Sequence, residues 1–111
     1  MHLGVDFTAG NGAPVHAIAD GVVVEASPGD SGALGVYVAI RHNIGGQTII
    51  SGYAHMQVGS MNLRVGAPVS GGQVIGRVGS TGASTGAHLH FEIRVGGTHV
   101  DPLAWMHARI G

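Results

Sequence analysis

Eight histidines in a chain without cysteine are the residues whose spacing could do chemistry here. His88-Leu89-His90 is the densest local signal. On a strand, residues i and i+2 point to the same face and sit roughly 6–7 Å apart. Two imidazoles at that separation can serve one site, but both cannot ligate one tetrahedral ion as adjacent donors without local distortion. One ligand and one catalytic neighbour is a natural division; two exposed histidines on a sheet face fit the same dipeptide spacing. His2 and Asp6 stand four apart and offer nitrogen and oxygen donors suited to zinc. Fully extended, their side chains would be roughly 13 Å apart, so sharing an ion requires a bend, which Gly4 permits. Without that bend they read as a terminal histidine and a strand carboxylate facing water. Tyr53-Ala54-His55 puts another imidazole beside a phenol on one strand face, although a surface histidine fits there too. His16, His42, His99 and His107 show no partner pattern and read as structural or solvent-facing.

The absence of cysteine excludes disulfides and thiolate zinc sites, so a metal here must be held by His, Asp or Glu. Formal net charge is −1 and the five basic residues are scattered arginines, which leaves no nucleic-acid footprint. Lysine is absent. That removes a lipoyl- or biotin-carrier domain, a reading the short strands and many glycines would otherwise suit. The opening residues do not read as a signal peptide, and no apolar run is long enough to span a bilayer.

Those candidate residues need elements to hold them. Glycine is 21 of 111 residues, roughly three times its average usage. Mixed with Val, Ile and Thr and without a collagen period, it predicts a compact all-β fold. Strands are expected at residues 4–8, 15–18, 21–26, 36–41, 48–55, 74–78 and 89–95. Residues 15–18 and 21–26 read as a hairpin about Asp20-Gly21. Loops are expected at 27–35 and 79–87, and 58–65 reads as a helical turn. Asp101-Pro102 predicts the cap and first position of a short C-terminal helix. Gly12-Ala13-Pro14-Val15 recurs as Gly66-Ala67-Pro68-Val69, which fits either a duplication or two similar turns entering strands. The architecture expected is a mostly antiparallel, short-stranded sandwich or partly open barrel.

Taken in order, the segments His2-Leu3-Gly4-Val5-Asp6, Tyr53-Ala54-His55 and Gly82-Ala83-Ser84-Thr85-Gly86-Ala87-His88-Leu89-His90-Phe91-Glu92 resemble the lysostaphin/LytM-type metallopeptidases. Gly12-Ala13-Pro14-Val15, Ala19-Asp20-Gly21-Val22-Val23, Gly71-Gly72-Gln73-Val74-Ile75-Gly76 and Val100-Asp101-Pro102 extend the resemblance over nearly the whole chain. It implies a barrel-sandwich-like (duplicated hybrid motif) fold filling residues 1–111 as one domain. It implies Zn2+ held by His2, Asp6 and His90, with His55 and His88 catalytic. It also implies hydrolysis of the cross-links or stem peptides of bacterial peptidoglycan, by a secreted or phage-delivered monomer acting outside the cytoplasm. Only Met1 precedes His2, so the family's usual upstream segment is expected to be missing. Zinc polarises a carbonyl and brings a water's pKa towards about 7, while a neutral imidazole can take that water's proton. Tyr53 is a further candidate for substrate contact. Glu92, on the face of His88 and His90, reads as an exposed strand residue or as a carboxylate that orients a histidine. The alternative function is a non-catalytic relative that binds peptidoglycan or regulates another hydrolase. Such relatives lose metal ligands, whereas all five positions are filled here.

Overall fold

The computed structural model describes residues 5–8, 10–82, 84 and 86–110. Among the described residues nine strands and one helix follow in order: β1 Val5–Thr8, β2 Pro14–His16, β3 Gly21–Ser27, β4 Val36–Ile44, β5 Gln47–Met56, β6 Pro68–Val69, β7 Val74–Arg77, β8 His88–Val95, β9 Thr98–Val100 and α1 Pro102–Ile110. β1, β8, β5, β4, β3 and β6 form a sheet in that spatial order, and β9 joins it by pairing with β8. β2 and β7 form a second, two-stranded sheet. All of these pairings are antiparallel. The expected all-β architecture with a short C-terminal helix is the one found, open rather than closed into a barrel.

Period-two alternation gives the large sheet two different faces. Val36, Val38 and Ile40 of β4, Ile49 and Tyr53 of β5, and Phe91 and Ile93 of β8 all point to one side. There they meet Val15, Ala17, Ile75 and Val78 of the small-sheet region in one buried cluster. On the other side, Tyr37, Ala39 and Ala54 form a thin apolar patch with Val24, Leu34 and Ile50 packed on it. The same alternation places Asp6, His88, His90, Glu92 and Arg94 on this second face. The pairing of Asp6 with His90, and of His90 with Ala54, lines up three neighbouring strands across it.

Two expectations for the chain path are corrected. No hairpin forms about Asp20-Gly21: β2 pairs with β7, and β3 pairs with β4 and β6. Asp20 instead anchors the crossing between sheets. Its carboxylate accepts the Gly71 N–H at 2.7 Å and its carbonyl accepts the His42 Nδ1–H at 2.8 Å. A Cβ on Gly21 would lie 2.4 Å from the Arg41 carbonyl oxygen, so close approach, not turn formation, is what this glycine supplies. Residues 58–65 contain a turn but no helix. The internal echo is two copies of one turn. Ala13 N–H bonds Gly10 O and Ala67 N–H bonds Arg64 O, both at 3.0 Å. Pro14 and Pro68 then open strands, and Val15 and Val69 are buried.

The C-terminal helix starts where expected. Asp101 Oδ1 accepts the N–H groups of Leu103 at 3.0 Å and Ala104 at 3.4 Å, satisfying two of the donors that a helix start leaves unpaired. β9 was not foreseen. Gly96 and Gly97 carry φ of 57° and 84°, the left-handed pair that a two-residue hairpin demands. They return the chain beside β8 with Arg94 opposite His99.

Candidate active site

His55, His88 and His90 converge on the polar face of the large sheet. The rings of His55 and His88 have centroids 4.8 Å apart, and those of His55 and His90 5.9 Å. His90 Nδ1 lies 2.7 Å from Asp6 Oδ1, and His88 Nε2 lies 3.8 Å from the same oxygen. Four of the five residues singled out in the sequence therefore share one site; the fifth, His2, lies outside the described residues.

A β-bulge brings His55 to this group. Val36 pairs with Met56 but Val38 pairs with Tyr53, so Ala54 and His55 together oppose Tyr37. His55 has φ of 63°, a conformation uncommon for a residue with a Cβ. Its surroundings hold it there: its N–H donates to Leu34 O at 2.9 Å and its carbonyl accepts from Gly79 N at 3.1 Å. The bulge also separates His55 from Tyr53, contrary to the expected shared face. Tyr53 is 1% exposed in the core, its ring against Phe91 and its hydroxyl accepting the Ile18 N–H. Tyr53 thus stands apart from the histidines, in the core rather than on the polar face.

Backbone carbonyls fix both imidazoles. His55 Nδ1 is 2.7 Å from Thr81 O, and His88 Nδ1 is 2.9 Å from Gly86 O. A carbonyl only accepts, so in both rings Nδ1 carries a hydrogen, which makes Nε2 the acceptor nitrogen of the neutral ring. Burial, and secondarily the neighbouring His88 and His90, hold the His55 pKa below the ordinary histidine value. The hydrogen bond from His90 outweighs burial at Asp6 and lowers its pKa, as expected for a carboxylate that stays ionised.

The loop carrying those carbonyls is itself braced. Thr81 Oγ1 donates to Met56 O at 2.6 Å and accepts the Val36 N–H at 3.1 Å. Gly82 N–H donates to Asp30 Oδ1 at 2.7 Å. Gly35 and Gly82 have positive φ, and a Cβ at Gly82 would meet Ala33 O and Gly35 N at 2.5 Å. Only glycine lets the loops at 30–35 and 79–87 close on each other so tightly. Sequence reasoning found the histidines but not these carbonyl partners, because contacts made by main-chain oxygen leave no mark in residue type.

Farther along the same face, Arg94 reaches across the sheet to Glu25 at 2.7 Å and to the Tyr37 hydroxyl at 3.4 Å. Burial, then the charges of Glu25 and Glu92, push the Tyr37 pKa up to about 12. A cleft of about 500 Å³ lined by Asp20, Gly21, Val22, Arg41, His42, Asn43 and Thr48 lies at the edge of β3–β5. Its one imidazole, His42, already has both nitrogens bonded. In the histidine cluster, by contrast, His55 and His88 are each tied to a carbonyl through Nδ1 alone. His16 is structural, its Nδ1 bonding Gly72 O at 2.8 Å.

Among the described residues no group of three His, Asp or Glu side chains gathers as a complete metal centre. The donor chemistry nevertheless fits a divalent ion. A carboxylate oxygen and an imidazole nitrogen face each other, the carboxylate is held ionised, and two imidazoles with free Nε2 stand beside them.

An open antiparallel sheet whose polar face collects carboxylate and imidazoles is the kind of scaffold on which a hydrolase site can be built. The chain belongs to peptidase family M23, whose model matches residues 1–102. It is 45% identical over 104 residues to the DD-carboxypeptidase/endopeptidase Mpg of Neisseria meningitidis, covering 94% of this chain and 22% of that protein. The fold superposes on the catalytic domain of lysostaphin from Staphylococcus simulans with a TM-score of 0.80 and 39% identity, covering 96% of this chain and 80% of that one. A zinc containing peptidase from Vibrio cholerae superposes with a TM-score of 0.75 and 35% identity, covering 89% and 28%. The chain spans about a fifth of the length of the curated relatives it matches. No helix among the described residues is long and apolar enough to cross a membrane.

Proposed function

We propose that this chain is the catalytic domain of a zinc-dependent endopeptidase that hydrolyses the peptides of bacterial peptidoglycan outside the cytoplasm. The observation that carries the reading is the convergence of Asp6, His55, His88 and His90, brought from three strands to one sheet face. His2, four residues before Asp6, completes the ligand set with Asp6 and His90. Bound there, zinc would polarise a peptide carbonyl and acidify a water molecule.

The protein's own groups then have defined work. Asp6 Oδ1 and His90 Nδ1, 2.7 Å apart, are the ionised oxygen and the nitrogen that would hold the ion together with His2. His55 and His88, each with Nδ1–H tied to a carbonyl, present Nε2 as acceptor. One takes a proton from the attacking water and delivers it to the leaving amine as the C–N bond breaks; the other, carrying on Nε2 a proton taken up from solvent, stabilises the developing oxyanion. The substrate class is suggested by the peptidoglycan DD-endopeptidase and lysostaphin relatives, and the open sheet face suits a polymer.

The test is mass spectrometry of fragments released from purified sacculi, using walls with diaminopimelate cross-links and walls with glycine bridges. New amine and carboxyl ends at a stem or bridge peptide bond are the expected result. Intact sacculi of both kinds, with a zinc-loaded chain, would remove the reading.

A further inference from the structure

We propose that Glu92 and His99 brace the metal ligand His90 from behind and set the affinity of the site for zinc; this rests on the reading of His90 as a ligand. His90 lies between two carboxylates, with Nδ1 2.7 Å from Asp6 Oδ1 and Nε2 3.0 Å from Glu92 Oε1. The second Glu92 oxygen lies 3.4 Å from His99 Nε2. The four side chains form one row, Asp6–His90–Glu92–His99, drawn from β1, β8 and β9.

The fold builds this row deliberately. His90 and Glu92 share a face of β8 by alternation, and His99 joins them because the Gly96-Gly97 hairpin sets it opposite Arg94. Glu92 is only 13% exposed. A carboxylate so covered is costly unless it is paired. The nearby cation, Arg94, bonds Glu25 and Tyr37 instead, which leaves Glu92 to the two imidazoles.

A metal on Nδ1 obliges His90 to carry its hydrogen on Nε2, the atom that faces Glu92. The carboxylate then fixes the ring's orientation and tautomer and raises the basicity of the ligating nitrogen. His99 holds the free Glu92 oxygen, so the carboxylate does not swing away when His90 binds. Both are positioning residues: neither reaches the reacting atoms.

Zinc affinity of the full chain is measured by competition with a chromogenic chelator for wild type, Glu92→Leu, Glu92→Gln and His99→Ala. Cobalt(II) absorption spectra report ligand geometry independently of turnover. Losses of about 10–100-fold are expected for Glu92→Leu, the usual range for removing such a partner. Glu92→Gln, which keeps an acceptor but not the charge, should lie between it and wild type, and His99→Ala should lose several-fold. Thermal unfolding with chelator present should place wild type and Glu92→Gln together. Wild-type affinity in Glu92→Leu would overturn the inference while leaving the metal reading intact. Equal loss of chelated-state stability and zinc affinity in both Glu92 variants would also overturn it, as a merely structural role. A wild-type chain that takes up no zinc defeats the metal reading and this inference with it.

Discussion

Replacing His88 with alanine should lower the rate of peptide release from sacculi by about 10²–10⁴-fold, the usual worth of a positioned acid–base group, while zinc content stays at the wild-type level. The two outcomes separate because His88 and His90, two residues apart on β8, make different contacts. His90 Nδ1 touches Asp6 at 2.7 Å, whereas His88 Nε2 stands 3.8 Å from the same oxygen and is held by Gly86 O through its other nitrogen. His90→Ala should therefore lose metal and activity together, and His88→Ala activity alone. His88 is only partly buried, so its removal should shift the unfolding midpoint little. Retention of a tenth or more of the wild-type rate by His88→Ala, at equal zinc content, would remove His88 from the catalytic pair.

The second large effect is on stability and concerns a histidine away from the site. His42 is 2% exposed and heads a buried chain: Nδ1 donates to Asp20 O at 2.8 Å, and Nε2 accepts from Ser51 Oγ at 2.7 Å. Ser51 Oγ is 2.8 Å from the Tyr53 hydroxyl, which accepts the Ile18 N–H. His42→Ala leaves a cavity and unpaired buried groups, and should cost about 2–4 kcal/mol. For a chain of this size that is roughly 10 °C or more of melting temperature.

The same residue gives a pH signature. Burial lowers the His42 pKa below its ordinary 6.5, so the folded chain binds fewer protons than the unfolded one in that range. Above pH about 6.5 both states hold it neutral and it adds no slope. As pH falls from there towards the folded value, the unfolded state protonates first and stability drops. His55, lowered by its own burial, contributes in the same direction. Thermal melts in chelator between pH 7.5 and 5 should therefore show a shallower acid loss in His42→Gln than in wild type. Parallel curves would mean that His42 is not the titrating group.

Much of this arrangement was legible in residue order. Alternation along residues 88–95 placed His88, His90 and Glu92 on one face, and Asp101-Pro102 marked the helix start. The His55 environment was not legible, because a bulge at Ala54–His55 breaks the period on which face assignment rests. That break sent Tyr53 into the core and His55 to the site. The β2–β7 pairing was hidden because the nearer partner, β3, satisfied a local hairpin pattern while its real partners were far along the chain. His42 could have been placed, since it continues the buried series Val36, Val38, Ile40 at period two. His99 could have been placed as well, since Gly96-Gly97 is a hairpin signal that brings it beside β8.

On the proposed reading, a single zinc ion held beside Asp6 and His90 makes this sheet face a peptidase. Its most direct test is a metal titration with turnover as the readout. The chain is stripped by chelator, dialysed, and returned to zinc in steps while fragments released from sacculi are counted. No release is expected without metal, then a linear rise to a plateau at one zinc per chain, and no rise for His90→Ala. Full release from the stripped chain, or tight uptake of one zinc with no release above His88→Ala, would contradict it.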